Sequence, residues 1–349
     1  MSPELRSGFT TGAAMTAGAL AVFLHRDGET ELLLPDGKIL RIPVERCSEE
    51  TALVRKDAGD DPDATDGAEV EVSFRRAEES ELRPEDHRES AGALTVMIRG
   101  GAGVGRVTRP GLAVPPGKTA VNPGPRRLLM SNLLRAGASG CWLLSVSVRD
   151  GEKIAEKTLN PVLGILGGIS ILGGGGIVHP CSNAAYAATI SLQIRMAAQS
   201  GSDTVALVTG GRTEQAVLRD FPFLQKAQIV RIADFIAHAL RSADRFGIQH
   251  VIVGCMPGKL MKYACGDENT HAHRTRLRPQ MLRELGIPVP AGLELEKMDT
   301  MGELASHLSS AEYRTLLERL KNPAGRILQK WAGQCQLELA LYGERGERI

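Results

Sequence analysis

The stretch from Lys153 to Pro180, KIAEKTLNPVLGILGGISILGGGGIVHP, most limits what this chain can fold into. Glycines at 164, 167, 168 and 173–176 are interleaved with Ile and Leu, and no Asp, Glu, Lys or Arg falls among them. A flexible linker would mix glycine with serine and other polar residues. Aliphatic partners instead place these glycines in or beside a packed core. A residue without a Cβ then serves one of two ends: close approach of chain to chain, in tight turns between buried strands, or a loop whose backbone N–H groups face a ligand. The neighbouring motifs have to separate them.

At 349 residues the chain suits two domains. The texture changes after Pro180, so the boundary falls at 182/183. Residues 1–182 form an α+β domain with Gly-rich loops. Residues 183–349 form an α/β domain with a helical and strand extension at its end. In the second, a helix over 182–199 capped by Ser182 is followed by alternating strands (204–209, 228–232, 250–253) and helices (213–218, 234–246, 257–264). That alternation predicts a small parallel sheet with helical crossovers. The loops at 210–212 and 254–259 lie at carboxyl ends of strands, where open α/β sheets take ligands. Helices over 301–307 and 311–320 and a strand over 336–342 complete the chain.

The first half opens with Ser-Gly-Phe-Thr-Thr-Gly ahead of an Ala-rich helix over 13–25. The hydroxyls of Thr10 and Thr11 and the free N–H groups of that terminus either cap the helix or hold an anion. Strands 31–34 and 38–44 make a hairpin through Pro35-Asp36-Gly37. A strand at 52–55 leads into Asp57, Asp60, Asp61, Asp63 and Asp66, whose spacing does not match a calcium-binding EF-hand loop. These aspartates serve either as turn residues or as carboxylates for a cationic or hydroxyl-bearing ligand. After a strand at 69–74, the charged stretch 78–90 reads as a solvated connection. A strand at 93–99 runs into Gly101-Ala102-Gly103-Val104-Gly105-Arg106. Prolines soon afterwards forbid the helix a dinucleotide fingerprint requires, so no Rossmann site is read here. A helix to about residue 136 follows Pro125, a strand covers 141–148, and Asp150-Gly151 reads as a turn. Arg106, Arg109, Arg126 and Arg127 all ride on stiff Gly/Pro loops, which makes them an anion-binding rim.

Composition removes several function classes. A net charge of +1 and 4% aromatic residues argue against a nucleic-acid partner. The six cysteines are scattered with no CxxC, which points to reduced thiols in the cytoplasm rather than zinc or a disulfide framework. The apolar run 13–24 follows Glu4 and Arg6 and is too short to span a bilayer, so it is read as a buried helix and no membrane is implied. No Lys-Ser or Lys-Thr follows the glycines of 164–176, which excludes a phosphate-binding P-loop. His271 and His273 alone make an incomplete metal site, and His271 suits a hydrogen-bonding or base role equally well as none.

Taken together, TTG (10–12), LPDG (34–37), KDAGDDPDATDGAE (56–69), GAGVGRVTRPGL (101–112), NPGPRR (122–127), EKTLNPVLGILGGISILGGGGIVHP (156–180), GKLMKYACG (258–266) and NTH (269–271) resemble the CbiD family of anaerobic cobalamin biosynthesis. The resemblance covers most of residues 5–275. It implies S-adenosylmethionine as methyl donor and cobalt-precorrin-5B as acceptor, methylated at ring carbon C1 to cobalt-precorrin-6A. Cobalt enters only as part of that substrate, and a homo-oligomer stays open. The implied fold is an α+β first domain similar to a circularly permuted ribosomal-S5-domain-2 layer, followed by a small α/β domain.

With that substrate in view, Arg106, Arg109, Arg126, Arg127 and Lys259 are the candidates to grip the macrocycle's carboxylates. Asp57, Asp60 and Asp61 suit the donor's ammonium or ribose hydroxyls. Thr10, Thr11, Gly167, Gly168, Gly173 and Gly174 are the backbone and hydroxyl candidates of the same cofactor site, and His271 is the candidate to move a proton. The chain departs from the family pattern around Gly173–Gly176, at Asn183 and Ala184, at Cys255 in place of His, at Ala272 in place of Ser, and in a shorter 209–214 loop. The readings set against this one are a methyltransferase for another corrinoid intermediate and a non-catalytic tetrapyrrole carrier.

Overall fold

A computed structural model describes residues 5–271 and 280–349. They divide into two units, one up to Ser182 and one from Asn183 onward.

The first unit begins with β1 (Gly8–Phe9) and α1 (Thr11–Phe23). α1 is buried almost throughout, because its alanines are small enough to let the helix settle onto a sheet. A Cβ on Gly18 would already stand 2.9 Å from the Val72 side chain. The sheet comprises β2 (Gly28–Leu33), β3 (Ile39–Arg46), β4 (Thr51–Arg55), β5 (Glu69–Arg76), β6 (His87–Ala91) and β7 (Leu94–Gly100). Short β8 (Gly103–Val104) and β9 (Arg106–Val107) precede α2 (Pro123–Arg135), whose prolines sit where a first turn has no N–H to lose. The last large strand is β10 (Gly140–Val148). The sheet order is β2-β3-β4-β5-β10-β7-β6, antiparallel throughout except for β10 beside β7. Period-2 alternation sets its faces: Val70, Val72 and Phe74 of β5 are buried, and Glu71 between them is exposed. Each such side chain contributes about 1.5–3 kcal/mol on burial. Then come α3 (Gly151–Glu156), β11 (Ile165–Leu166), β12 (Gly168–Ile169) and β13 (Ile177–Val178).

Two local expectations fail here. Residues 78–90 are not a solvated connection: they close into β6, because Arg99 on β7 reaches back to Asp86 at 2.8 Å and buries that carboxylate. His87 is also buried, with its Nε2–H donating to the Thr119 carbonyl at 2.7 Å, and burial lowers its pKa. Asp150-Gly151 is the start of α3 rather than a simple turn, with Asp150 held at φ +53°.

The second unit runs α4 (Asn183–Gln199), β14 (Thr204–Val208), α5 (Gly211–Asp220), β15 (Ile229–Arg231), α6 (Ile236–Arg245), β16 (His250–Cys255) and α7 (Pro257–Ala264). It ends with α8 (Met281–Glu284), α9 (Met301–Ser306), α10 (Ser310–Ala332) and β17 (Gln336–Leu341). The four strands are all parallel, in the order β15-β14-β16-β17. β14 and β16 in the middle carry near-continuous apolar runs, as strands covered on both faces must, whereas edge strand β17 alternates with exposed Gln336 and Glu338. α10 does not stop at 320; it continues through Pro323. Leu316, Leu320, Ala324 and Leu328 recur at four-residue spacing and are buried, which offsets the hydrogen bond that proline removes. Among the described residues no helix is long and apolar enough to cross a membrane.

Candidate functional site

The Gly-rich stretch of the first unit threads between two older parts of the chain. β12 runs parallel to β8, and β11 pairs antiparallel with β9. The β8–β12 approach tolerates no side chain: a Cβ on Gly168 would lie 2.1 Å from the Gly103 carbonyl oxygen. On the neighbouring ribbon, Leu166 stands directly opposite Arg106, so both project from one face. Both are exposed, Leu166 to 53%. Glu85 lies 3.7 Å from the Arg106 guanidinium. Arg109 lays its aliphatic chain over Gly164, where a Cβ would come within 2.9 Å of it, and the Thr108 hydroxyl donates to the Gly164 carbonyl at 2.8 Å. The ribbon thus presents an aliphatic side chain beside the Arg106 guanidinium, with the Arg109 stem packed on Gly164 at its end.

The other two arginines differ from these. Arg126 is mostly buried and ion-paired with Glu89, whereas Arg127 is exposed on α2. Glu85 and Glu89, the acids that hold Arg106 and Arg126, both belong to the segment read as solvated. Acids at 85, 86 and 89, four to eight residues before the strand expected over 93–99 that carries Arg99, are the signal available for them.

Thr10 and Thr11 are engaged with the glycine loop itself. Thr10 is the N-cap of α1: its Oγ1 accepts from the Ala13 N–H at 3.1 Å and donates to the Gly173 carbonyl at 2.8 Å. Thr11 Oγ1 accepts from the Leu172 N–H at 3.0 Å, and the Gly12 N–H donates to the Leu172 carbonyl at 2.9 Å. Carbonyl oxygens of Leu172, Gly173 and Gly176 therefore occupy the helix terminus. Gly173, at φ +90°, lies against Thr10, and Gly174 packs backbone to backbone on Gly124. Gly167 and Gly175 meet no atom within 4 Å of an added Cβ. Most of the stretch is chain-to-chain packing, with two open positions.

The aspartate loop is likewise satisfied from within. Arg6 clamps Asp57 with both guanidinium nitrogens and, with the Gly59 N–H, holds its carboxyl below the usual range. Asp60 accepts from the Arg6 N–H and Asp61 from the Cys181 N–H at 2.9 Å. Asp63 pairs with Lys56 at 2.7 Å, and the Lys56 side chain is only 2% exposed.

In the second unit, Lys259 of α7 is ion-paired with Asp234 and donates to the buried Thr270 hydroxyl at 2.6 Å. Thr270 in turn donates to Asp234 at 2.9 Å, and Lys262 donates to the Thr270 carbonyl at 2.7 Å. Burial opposes ionisation of Asp234, and the Lys259 bond and charge outweigh it, so its pKa is lowered. This knot anchors the loop that carries exposed His271. His273 and Ala272 lie outside the described residues. Cys255 is fully buried, and burial pushes its thiol up to about 12, which removes it as a nucleophile.

The CbiD family model matches residues 1–180. A curated relative from Methylococcus capsulatus, named cobalt-precorrin-5B C(1)-methyltransferase, is 39% identical over 344 residues, spanning 90% of this chain and 87% of its own. Proteins of the same name from Leptospira borgpetersenii serovar Hardjo-bovis and Citrifermentans bemidjiense are each 35% identical, covering 95% and 99% of this chain and 90% and 98% of their own lengths. A crystal structure of a cobalamin biosynthesis protein (cbiD) from Archaeoglobus fulgidus is 27% identical, covering 81% of this chain and 85% of that one, with a TM-score of 0.40.

Proposed function

The chain belongs to the CbiD family, and from that premise we propose that it methylates cobalt-precorrin-5B at ring carbon C1, with S-adenosylmethionine as donor. The observation that carries this reading is the 39% identity across 90% of the chain to a relative of that name. The donor's sulfonium supplies an already activated methyl group, so the protein's work is to align the two reactants and keep water out. A covalent nucleophile is not needed.

The macrocycle is flat, apolar in its face and fringed with carboxylates. The β9–β11 ribbon matches that pattern: Leu166 for the ring face, Arg106 and Arg109 for the carboxylate edge. Exposed Arg127 is assigned a supporting role on the same chemistry. Arg126 and Lys259, held by Glu89 and Asp234, shape their loops instead. His271, on the loop anchored by Thr270, is assigned any proton transfer. Asp57, Asp60 and Asp61 are not assigned to the donor, because Arg6 ion-pairs with Asp57 and the backbone N–H groups of Arg6 and Cys181 bond to Asp60 and Asp61.

The test is anaerobic incubation with S-adenosylmethionine and cobalt-precorrin-5B, followed by mass spectrometry of the macrocycle. A single added methyl, located at C1, is expected. Tight binding of the macrocycle without methylation would replace this reading with that of a carrier.

A further inference from the structure

We propose that a cavity within the second unit, at the carboxyl ends of β16 and β17, is the binding site for the adenosyl donor. This rests on the methyltransferase reading and adds a place for the cofactor. The cavity measures about 680 Å³, within the range of small-molecule sites. Its position follows the rule for open parallel sheets: Met256-Pro257-Gly258 follows β16, and Gly343-Glu344 lies just beyond β17.

The lining is chemically sorted. Met256, Met301 and Leu317 give an apolar wall suited to a purine. Glu344 and Arg314 supply one charge of each sign. The Glu344 carboxylate, on an exposed residue, comes within 3.7 Å of where a Cβ on Gly302 would be, and both residues line the space. Among the described residues its side chain has no hydrogen-bond partner, and Arg314 has no carboxylate partner. Tyr313, whose hydroxyl donates to the Met301 carbonyl at 3.2 Å, has its phenol pushed up to about 12 by burial and by the Glu344 charge. By contrast Glu347 is used in the turn, accepting from the Arg345 N–H at 3.1 Å.

A carboxylate free to take two hydroxyls fits a ribose diol, and a guanidinium fits an amino acid's carboxylate. The rim carries Glu344 and Glu347 with Arg314 and Arg345, a balanced set that suits a ligand bearing charges of both signs better than a polyanion such as the macrocycle. The ligand class that satisfies all of these is a nucleoside carrying an amino-acid tail. Gly258 leaves room for it, since nothing lies within 4 Å of a Cβ there.

The test uses the full chain and titration calorimetry with S-adenosylhomocysteine, on the wild type, Glu344→Gln and Gly258→Val. Each variant is expected to weaken binding at least about tenfold, the loss of one charge-assisted hydrogen bond or of the open space. Binding of cobalt-precorrin-5B should not change. Gly258→Val keeps the question answerable if Glu344→Gln does not fold. If both folded variants bind S-adenosylhomocysteine as the wild type does, the donor site lies elsewhere and the methyltransferase reading survives. If the wild type binds neither S-adenosylhomocysteine nor S-adenosylmethionine, both fall together.

Discussion

Gly173→Ala separates the packing role of the glycine loop from a ligand-facing one. The added Cβ would stand 2.3 Å from Cγ2 and 2.4 Å from Cβ of Thr10, more than 1 Å inside the roughly 3.5–4.0 Å carbon–carbon optimum. Overlap of this kind costs about 1–3 kcal/mol in a packed core. The φ of +90° adds about 1–2 kcal/mol of backbone strain for a residue with a Cβ. Displacing Thr10 also loosens a helix cap worth about 1 kcal/mol. Together these amount to about 3–6 kcal/mol, a large share of the roughly 5–15 kcal/mol that holds a domain folded. The assay is urea unfolding followed by circular dichroism, with Gly175→Ala as the internal control. Nothing lies within 4 Å of a Cβ at Gly175, so its loss should stay below about 1 kcal/mol. Gly173→Ala within 1 kcal/mol of the wild type would refute the packing argument. Full stability with lost methyl transfer would go further and return the loop to the ligand.

Two other substitutions test different parts of the first unit. Arg106→Ala should weaken cobalt-precorrin-5B binding about ten- to a hundredfold, measured by absorbance titration, without changing the unfolding midpoint; unchanged affinity removes this residue from the site. Asp63→Asn should cost about 3–5 kcal/mol at pH 7, because it leaves the buried Lys56 ammonium without a counter-charge. Burial raises the Asp63 pKa, but bonds from Lys56 and Thr65 lower it by more, so its folded value lies below the unfolded one of about 3.9. The pair's contribution is then present above about pH 4 and is lost as pH falls through the depressed value. Urea midpoints for the variant should therefore fall less steeply below pH 4 than those of the wild type; parallel slopes would show that Asp63 does not titrate with folding.

Local rules carried the sequence reading where neighbours in the chain decide the structure. The Ala-rich run that became α1 and the Pro35-Asp36-Gly37 hairpin depend on propensity and turn chemistry, and both formed within two to three residues of expectation. β6 was missed because its reason lies across the sheet: Arg99 buries Asp86, and no periodicity within 78–90 announces that. α10 outlasts the expected end at 320 and carries Pro323 inside it, and the stripe Leu316, Leu320, Ala324, Leu328 that holds it together is a packing fact. For the candidate site, the sequence could name arginines but could not show which ones already had carboxylates. Glu85 and Glu89 come from β6 and its approach, the segment misread, so the state of Arg106 and Arg126 was hidden with it.

The closure of α1 by residues 172–178 has a consequence for synthesis. Gly8 pairs with Val178, and the Thr10 and Thr11 hydroxyls bond to carbonyls 163 and 159 residues further on. On the ribosome the helix is made before the sheet it packs on, yet the carbonyls that take up the N–H groups of Thr10 and Gly12 emerge only after that entire sheet. The first unit therefore cannot mature strand by strand as it leaves the exit tunnel. Its earliest helix must wait, its terminus held by water, until the last glycines arrive to seat it, and contacts of such long range make that a slow step.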